Sequence, residues 1–330
     1  MKRYKNLSYF RVLACIGIVC THLRQRVGIV DGRLYELTHY MQHGVYMFFI
    51  IGGFLAVYTY EARSYKPHEY WMKRITRILP AYYMIVIYNV IVHQFIFKDM
   101  PADNYGLGWL RYIFCINQCV PGETQWRNLS FTWTIGVFVA FYMLVPLICR
   151  LMKSYRGALA GIVINYGFML ALEKVYSHYG IDREWFTPLF YIIYFTIGAG
   201  VYYAVKEKKE NSLAVIFLAV ILYNFSMSKY NSPITLALLF AVMILVTMEY
   251  EIHNEYIQKF FDVIDKYSYQ IYLGHAVVME IIDMMQANIA MPAFVTVVIA
   301  VAGTAVISVT MYYLENTLLL KKRHIHDKIQ

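Results

Sequence analysis

LTHYMQHGVYMFFIIGGFLAVYTY, residues 37–60, runs for 24 positions without Asp, Glu, Lys or Arg. At 1.5 Å per residue such a helix is about 36 Å long, enough to cross the roughly 30 Å hydrocarbon layer of a bilayer. Its apolar residues are continuous rather than alternating, so the run is not a barrel strand, which faces lipid and lumen by turns. Six further charge-free runs lie at 78–97, 128–149, 185–205, 211–228, 230–248 and 284–314. Three more spans carry isolated charges: about 7–27 with Arg11 and Arg24, about 157–177 with Glu173 and Lys174, and about 267–287 with Glu280 and Asp283. The reading is an all-α, polytopic integral membrane protein of about ten transmembrane helices.

Composition agrees. A chain of 330 residues would ordinarily make two soluble domains, yet 59% of it is hydrophobic, 15% is charged and the mean hydropathy is +0.45. A water-soluble core of that size is excluded, and 32 Tyr, 20 Phe and 5 Trp exclude disorder. The net charge of +9 raises the question of nucleic acid. The basic residues sit in short clusters between apolar runs, however, where they are topology signals facing anionic lipid, so the expected partner is the bilayer and not nucleic acid. The five Cys form no metal-ligand pattern; Cys115 and Cys119 stand one turn apart at a spacing that would allow a disulfide. The charged start MKRYKNLSYF is followed by no small-residue cleavage site, so the first span is expected to be retained.

With Arg11 set aside as intramembrane, one set of alternate loops holds 20 Lys and Arg and the other 9. The positive-inside rule then puts both termini and the 61–77 loop in the cytoplasm and 98–129 outside, in a multi-pass protein of the cell (cytoplasmic) membrane. The outer segment 98–129 carries Trp109, Leu110, Tyr112, Ile113 and Phe114 and reads as a short interfacial helix, while the inner segment 250–266 reads as an amphipathic helix with Ile257, Phe260, Phe261 and Ile264 on one face. No repeat, low-complexity tract or appended soluble domain is visible, so residues 1–330 are expected to be a single transmembrane domain.

Ionisable groups inside a bilayer are costly, which makes their positions the best pointers to function. Arg11 and His22 are eleven residues apart, three helical turns, and share one face about 16 Å apart along the axis. Spacing alone leaves two readings open: a snorkelling Arg with a packing His, or a functional seam. Arg74 and Arg77, three apart, make a fork on one face at the cytoplasmic start of the third span, ahead of Pro80, suited to phosphate oxygens or to an ordinary positive-inside cluster.

At this point the sequence resembles a family. FRVLACIGIVCTHL (10–23) is similar to the first-helix signature of the membrane-bound acyltransferase 3 family, the integral membrane O-acyltransferases of the polysaccharide and peptidoglycan O-acetylase type. GVYMFFIIGGFLA (44–56), YWMKRITRILPAYY (70–83), FTWTIGVFVAFYMLVP (131–146), YSYQIYLGHAVV (267–278) and MYYLEN (311–316) resemble its further motifs, in order, over nearly the whole chain. Gly52 and Phe138 depart from it, where members usually carry Ser and Glu.

The resemblance implies acyl transfer, with acetyl-CoA as the expected acyl-CoA co-substrate and no metal. Arg74 and Arg77 would clamp the phosphates of the coenzyme A thioester, with Trp133, Tyr272, His275 and Glu315 also on the donor side and Glu315 ion-paired to one of the arginines. Arg11 would line the lower part of the channel and His22 its upper end, as general base or as an acyl-histidine relay. His275 is expected one turn into its span, where its residue type fits equally a group that positions the donor and a hydrogen-bonded core histidine. His43, Glu280 and Asp283 are candidate contacts to the acceptor, a hydroxyl of a carbohydrate or lipid-linked saccharide on the extracytoplasmic side. His39 and His43 stand one turn apart without Asp, Glu or Cys, which is no metal pattern. The rival reading is a transporter or flippase for a lipid-linked sugar, against which stands the absence of a two-halves pattern.

Overall fold

The structure is a computed structural model that describes residues 4–98, 110–116, 127–181, 187–229 and 232–326. Its helices are α1 (Lys5–Val27), α2 (Gly32–Met41), α3 (Gly44–Ala62), α4 (Pro67–Val90), α5 (Leu110–Ile113), α6 (Trp133–Met152), α7 (Tyr155–Tyr179), α8 (Thr187–Lys206), α9 (Glu210–Ser226), α10 (Pro233–Val246), α11 (Glu255–Gln286) and α12 (Ala293–His326). Among the described residues there is no strand. Among the described residues seven helical segments are long and apolar enough to cross a membrane; α9 and α10 are apolar but shorter. The protein is an all-α, polytopic membrane protein.

Three elements differ from their sequence reading. The 37–60 run is broken at Gln42 and His43 into α2 and α3; at Gly44, the first residue of α3, a Cβ would stand 3.0 Å from the Ala14 carbonyl oxygen of α1. The third span does not end as an α-helix: from Ile91 to Ile96 the backbone widens to a π-helix. The inner amphipathic helix and the ninth span are one continuous helix of 32 residues, α11, capped by Asn254, whose Oδ1 accepts from the Tyr256 and Ile257 amides. Nothing between 255 and 286 breaks it, since the one glycine, Gly274, keeps helical backbone there. Of the expected outer helix, Leu110–Ile113 is helical; Trp109 and Cys119 lie outside the described residues.

Small residues bring the central helices together, as expected where lipid supplies no hydrophobic drive. On α3 and α8 the approach is reciprocal: a Cβ on Gly53 would lie 2.1 Å from the Phe195 carbonyl oxygen, and one on Gly198 2.0 Å from that of Ile50. Around this contact the largest core cluster gathers Phe49, Phe54, Phe141 and Phe195.

The packing also sorts the helix ends. Tyr4 meets Tyr58, Lys5 pairs with Glu251, Tyr202, Tyr203 and Lys206 converge on Glu61, and the Tyr155 amide binds Glu207. The starts of α1, α7 and α11 and the ends of α3 and α8 therefore lie together at one end of the bundle, the Lys5 end. In the same way α1 and α11 run parallel, with pairs offset by 253 to 257 positions. Arg11 faces Asp265, Cys15 faces Ser268 and Arg26 faces Asp283.

Candidate functional site

A pocket of about 160 Å³ lies among α1, α3, α4, α6 and α11. Arg11, Arg74 and Arg77 line it together with Tyr142, Tyr272 and Thr134, and apolar residues including Phe48, Gly52 and Phe138 form its flank. The i, i+3 spacing of Arg74 and Arg77 on α4 sends both side chains to the same cavity, as expected of a helix face. The Arg74 guanidinium lies 5.0 Å over the Tyr70 ring and 5.2 Å over Tyr142. Its Nη2 is buried and, among the described residues, makes no hydrogen bond. A buried guanidinium nitrogen that makes no hydrogen bond is costly, so an anionic ligand is the natural complement of this pocket.

Arg11 is held by a residue that sequence reasoning missed. Its Nε donates to Asp265 Oδ1 at 2.6 Å and its Nη2 to Oδ2 at 2.8 Å, a two-pronged carboxylate contact. Glu315, expected to pair with one of the arginines, interacts electrostatically with Arg77, while its Oε2 accepts from Gln270 Nε2 at 2.7 Å in a buried contact between α12 and α11. Register decides the partner of Arg11. The parallel packing of α1 on α11 puts Asp265 across from Arg11, and Glu315 faces α11 from another side.

That register also joins two histidines. The rings of His22 and His275 have centroids 5.2 Å apart at 35°. His275 is buried, 1% exposed, with Nδ1 3.2 Å from the Ile271 carbonyl oxygen. With the Nδ1 proton donated there, Nε2 is the basic nitrogen. His275 lies 20 residues along α11, which begins at Glu255, and is level with His22. Its ring packs against Tyr272 at 5.8 Å and Phe131 at 5.8 Å. The Tyr272 hydroxyl donates to the Phe131 carbonyl at 2.9 Å and lies 2.8 Å from Thr134 Oγ1. Tyr272 thus touches the histidine pair with its ring and lines the arginine pocket.

The remaining sequence candidates lie around this axis. Glu280 and Asp283 turn to different neighbours: Asp283 takes both prongs of Arg26, at 3.0 and 2.8 Å, and Glu280 is buried against His93 at 2.5 Å. Both carboxylates therefore have protein partners. His93 was missed because the π turn that aims it has no sequence signal. His43, at the α2–α3 break, stacks on Tyr46 at 5.6 Å and 14°. Trp133 does not line the arginine pocket; its neighbour Thr134 does. Trp133 packs at 4.6 Å on Tyr191 in the wall of a second cavity, of about 760 Å³, at the end of the bundle opposite Lys5.

Gly52 and Phe138, the two departures from the family pattern, prove to be neighbours: a Cβ on Gly52 would stand 2.6 Å from Phe138 Cε1. The phenyl ring fills the space a side chain at 52 would need. Among the described residues no three His, Cys, Asp or Glu side chains converge as metal ligands.

Three comparisons bear on this arrangement. The profile of the acyltransferase 3 family, described as an acyltransferase domain, matches residues 4–313. A protein of Acidianus two-tailed virus, named provisionally as an acetyltransferase (ORF330), is 25% identical over 256 residues, which cover 73% of this chain and 74% of the viral one. No solved structure gives a significant match.

Proposed function

This chain belongs to the acyltransferase 3 family and is a membrane acyltransferase, and from that premise we propose that it moves an acetyl group from cytoplasmic acetyl-CoA to a hydroxyl of a carbohydrate or lipid-linked saccharide on the extracytoplasmic side. The observation that carries the reading is the arginine pocket, whose buried Arg74 Nη2 makes no hydrogen bond among the described residues, leading through Tyr272 to the His22–His275 pair. Arg74 and Arg77 would hold the donor's phosphates at the end of the pocket nearer the Lys5 end of the bundle. Asp265 engages Nε and Nη2 of Arg11 and so balances one of the three positive charges while leaving Nη1 for a ligand. Phe48 and Phe138 would flank the uncharged arm, excluding water from a thioester that reaches the Tyr272 end.

The chemistry then falls to the histidines. A neutral imidazole of the pair accepts the proton of the acceptor hydroxyl as its oxygen attacks the thioester carbonyl. The tetrahedral intermediate collapses with cleavage of the carbon–sulfur bond, and the leaving sulfur takes up the proton as coenzyme A thiol. Of the two, His275 is the more buried and its Nδ1 is fixed by the Ile271 carbonyl, so we assign it the orienting role and keep His22 as the base.

The test is calorimetry of acetyl-CoA with the protein in lipid nanodiscs, paired with transfer of labelled acetyl to membrane saccharides. The reading expects saturable binding and alkali-labile label. Label transferred without any affinity for coenzyme A would overturn the donor assignment.

A further inference from the structure

The 760 Å³ cavity is not used by the donor reading. Its walls come from the start of α6 (Trp133), the start of α3 (Tyr46), the first half of α8 (Tyr191, Tyr194), the end of α9 (Asn224) and the α9–α10 turn (Lys229). All of these lie at the end opposite Lys5, beside loops that are poor in Lys and Arg. The rings pack on one another at tilts of 30–52°: Tyr46 on Tyr194 at 4.7 Å, Trp133 on Tyr191 at 4.6 Å, Tyr191 on Tyr194 at 5.8 Å. We infer that this cavity is the acceptor site and that it binds the sugar rings of a saccharide. The inference rests on the acyl-transfer reading above, whose acceptor it places.

Three features favour a sugar over a hydrocarbon tail. A sugar ring has an apolar C–H face and a hydroxyl edge, which a cavity of Tyr and Trp rings with polar tips matches on both counts. The lining also includes Asn224 and Lys229, and polar groups facing a hydrocarbon occupant would be left unsolvated. The volume lies within the roughly 300–1,000 Å³ of small-molecule sites.

The position fits as well. On α6, Trp133 faces the cavity and Thr134 faces the arginine pocket; on α3, Tyr46 faces the cavity and Phe48 the pocket. Two helix starts are thus the shared wall between the two chambers. From Trp133 the path to the histidines is short, since Thr134 binds the Tyr272 hydroxyl and the Tyr272 ring abuts His275. His43 stacks on Tyr46, which lines the cavity. Ligands entering from opposite ends would meet at this wall.

The test uses the full protein in lipid nanodiscs, with maltotriose, chitotriose and dodecanoic acid as probes and Trp133 as reporter. At least one trisaccharide should change tryptophan emission saturably, with the change absent in Trp133→Phe. Leu170→Phe combined with Met227→Phe narrows the cavity from opposite walls, on α7 and after α9, far from the arginines. This pair should weaken sugar binding by at least about tenfold while acetyl-CoA affinity stays within about twofold. No saturable change with either sugar, an unaltered sugar affinity in a double variant that melts as wild type does, or a response to dodecanoic acid alone would each overturn the assignment. Loss of acetyl-CoA binding in the wild type would strike the donor reading instead, and sugar binding retained beside it would still support the cavity's role.

Discussion

Asp265→Asn should loosen the fold and tighten the donor at the same time. The carboxylate takes two charge-assisted hydrogen bonds from Arg11 at 2.6 and 2.8 Å, and the two side chains are 23% and 11% exposed. Removing one partner of a fully buried pair costs about 3–5 kcal/mol. Partial exposure and the one hydrogen bond that an Asn oxygen can still accept reduce that to about 2 kcal/mol. The effect on the ligand has the opposite sign. Asp265 repels an anion in the pocket, and a unit charge about 10 Å away at an effective dielectric of about 20 contributes about 1.7 kcal/mol. Screening through the open pocket lowers this to about 1 kcal/mol, or roughly fivefold in affinity. Thermal unfolding and coenzyme A calorimetry on the same nanodisc sample measure both signs. A variant that melts as wild type does would mean that the pair contributes nothing. One that binds coenzyme A more weakly would mean that Asp265 shapes the pocket rather than balancing its charge.

Replacing Arg74 and Arg77 together with Ala should weaken coenzyme A binding by several kcal/mol, at about 1.5–3 kcal/mol for each hydrogen bond to a charged group, with Lys rescuing only part of it; an unchanged calorimetric affinity would remove the phosphate clamp. Gly52→Ala puts a Cβ 2.6 Å from Phe138 and should cost about 1–3 kcal/mol in stability, most of it recovered in the Gly52→Ala/Phe138→Leu double variant; equal melting of the single and double variants would contradict the contact. Gly198→Ala meets backbone, the Ile50 carbonyl oxygen at 2.0 Å, and should abolish folded protein, whereas Gly167→Ala meets nothing within 4 Å and should be neutral in membrane yield.

Much of this fold is legible in the sequence because membrane helices are announced by long apolar runs, and the seam of Arg11 and His22 follows from three helical turns. What is illegible depends on which helix lies beside which. Asp265 and Arg11 are 254 positions apart, and only the parallel register of α1 and α11 joins them. The same register lifts His275 to His22, a pairing hidden by the assumption that the inner amphipathic helix and the ninth span are separate. His93 belongs to a charge-free run and gives no hint of Glu280, since its direction is set by six residues of π-helix. The break at Gln42 and His43 has one visible cue, Gly44, whose role as a close approach to Ala14 emerges only from the packing. Trp133 and Thr134 are adjacent in sequence and face different chambers, a division that no motif encodes.

The central claim is that an imidazole of the first helix carries the acyl transfer. The direct measurement is the rate of alkali-labile acetyl transfer from labelled acetyl-CoA to membrane saccharides, per folded molecule, by His22→Ala and His22→Gln. General-base assistance is worth about 10²–10⁴-fold, so both variants should fall by at least about 10²-fold while melting temperature and acetyl-CoA affinity hold. Gln should fare no better than Ala, because an amide forms hydrogen bonds and accepts no proton. Transfer near the wild-type rate by folded His22→Ala would contradict the account.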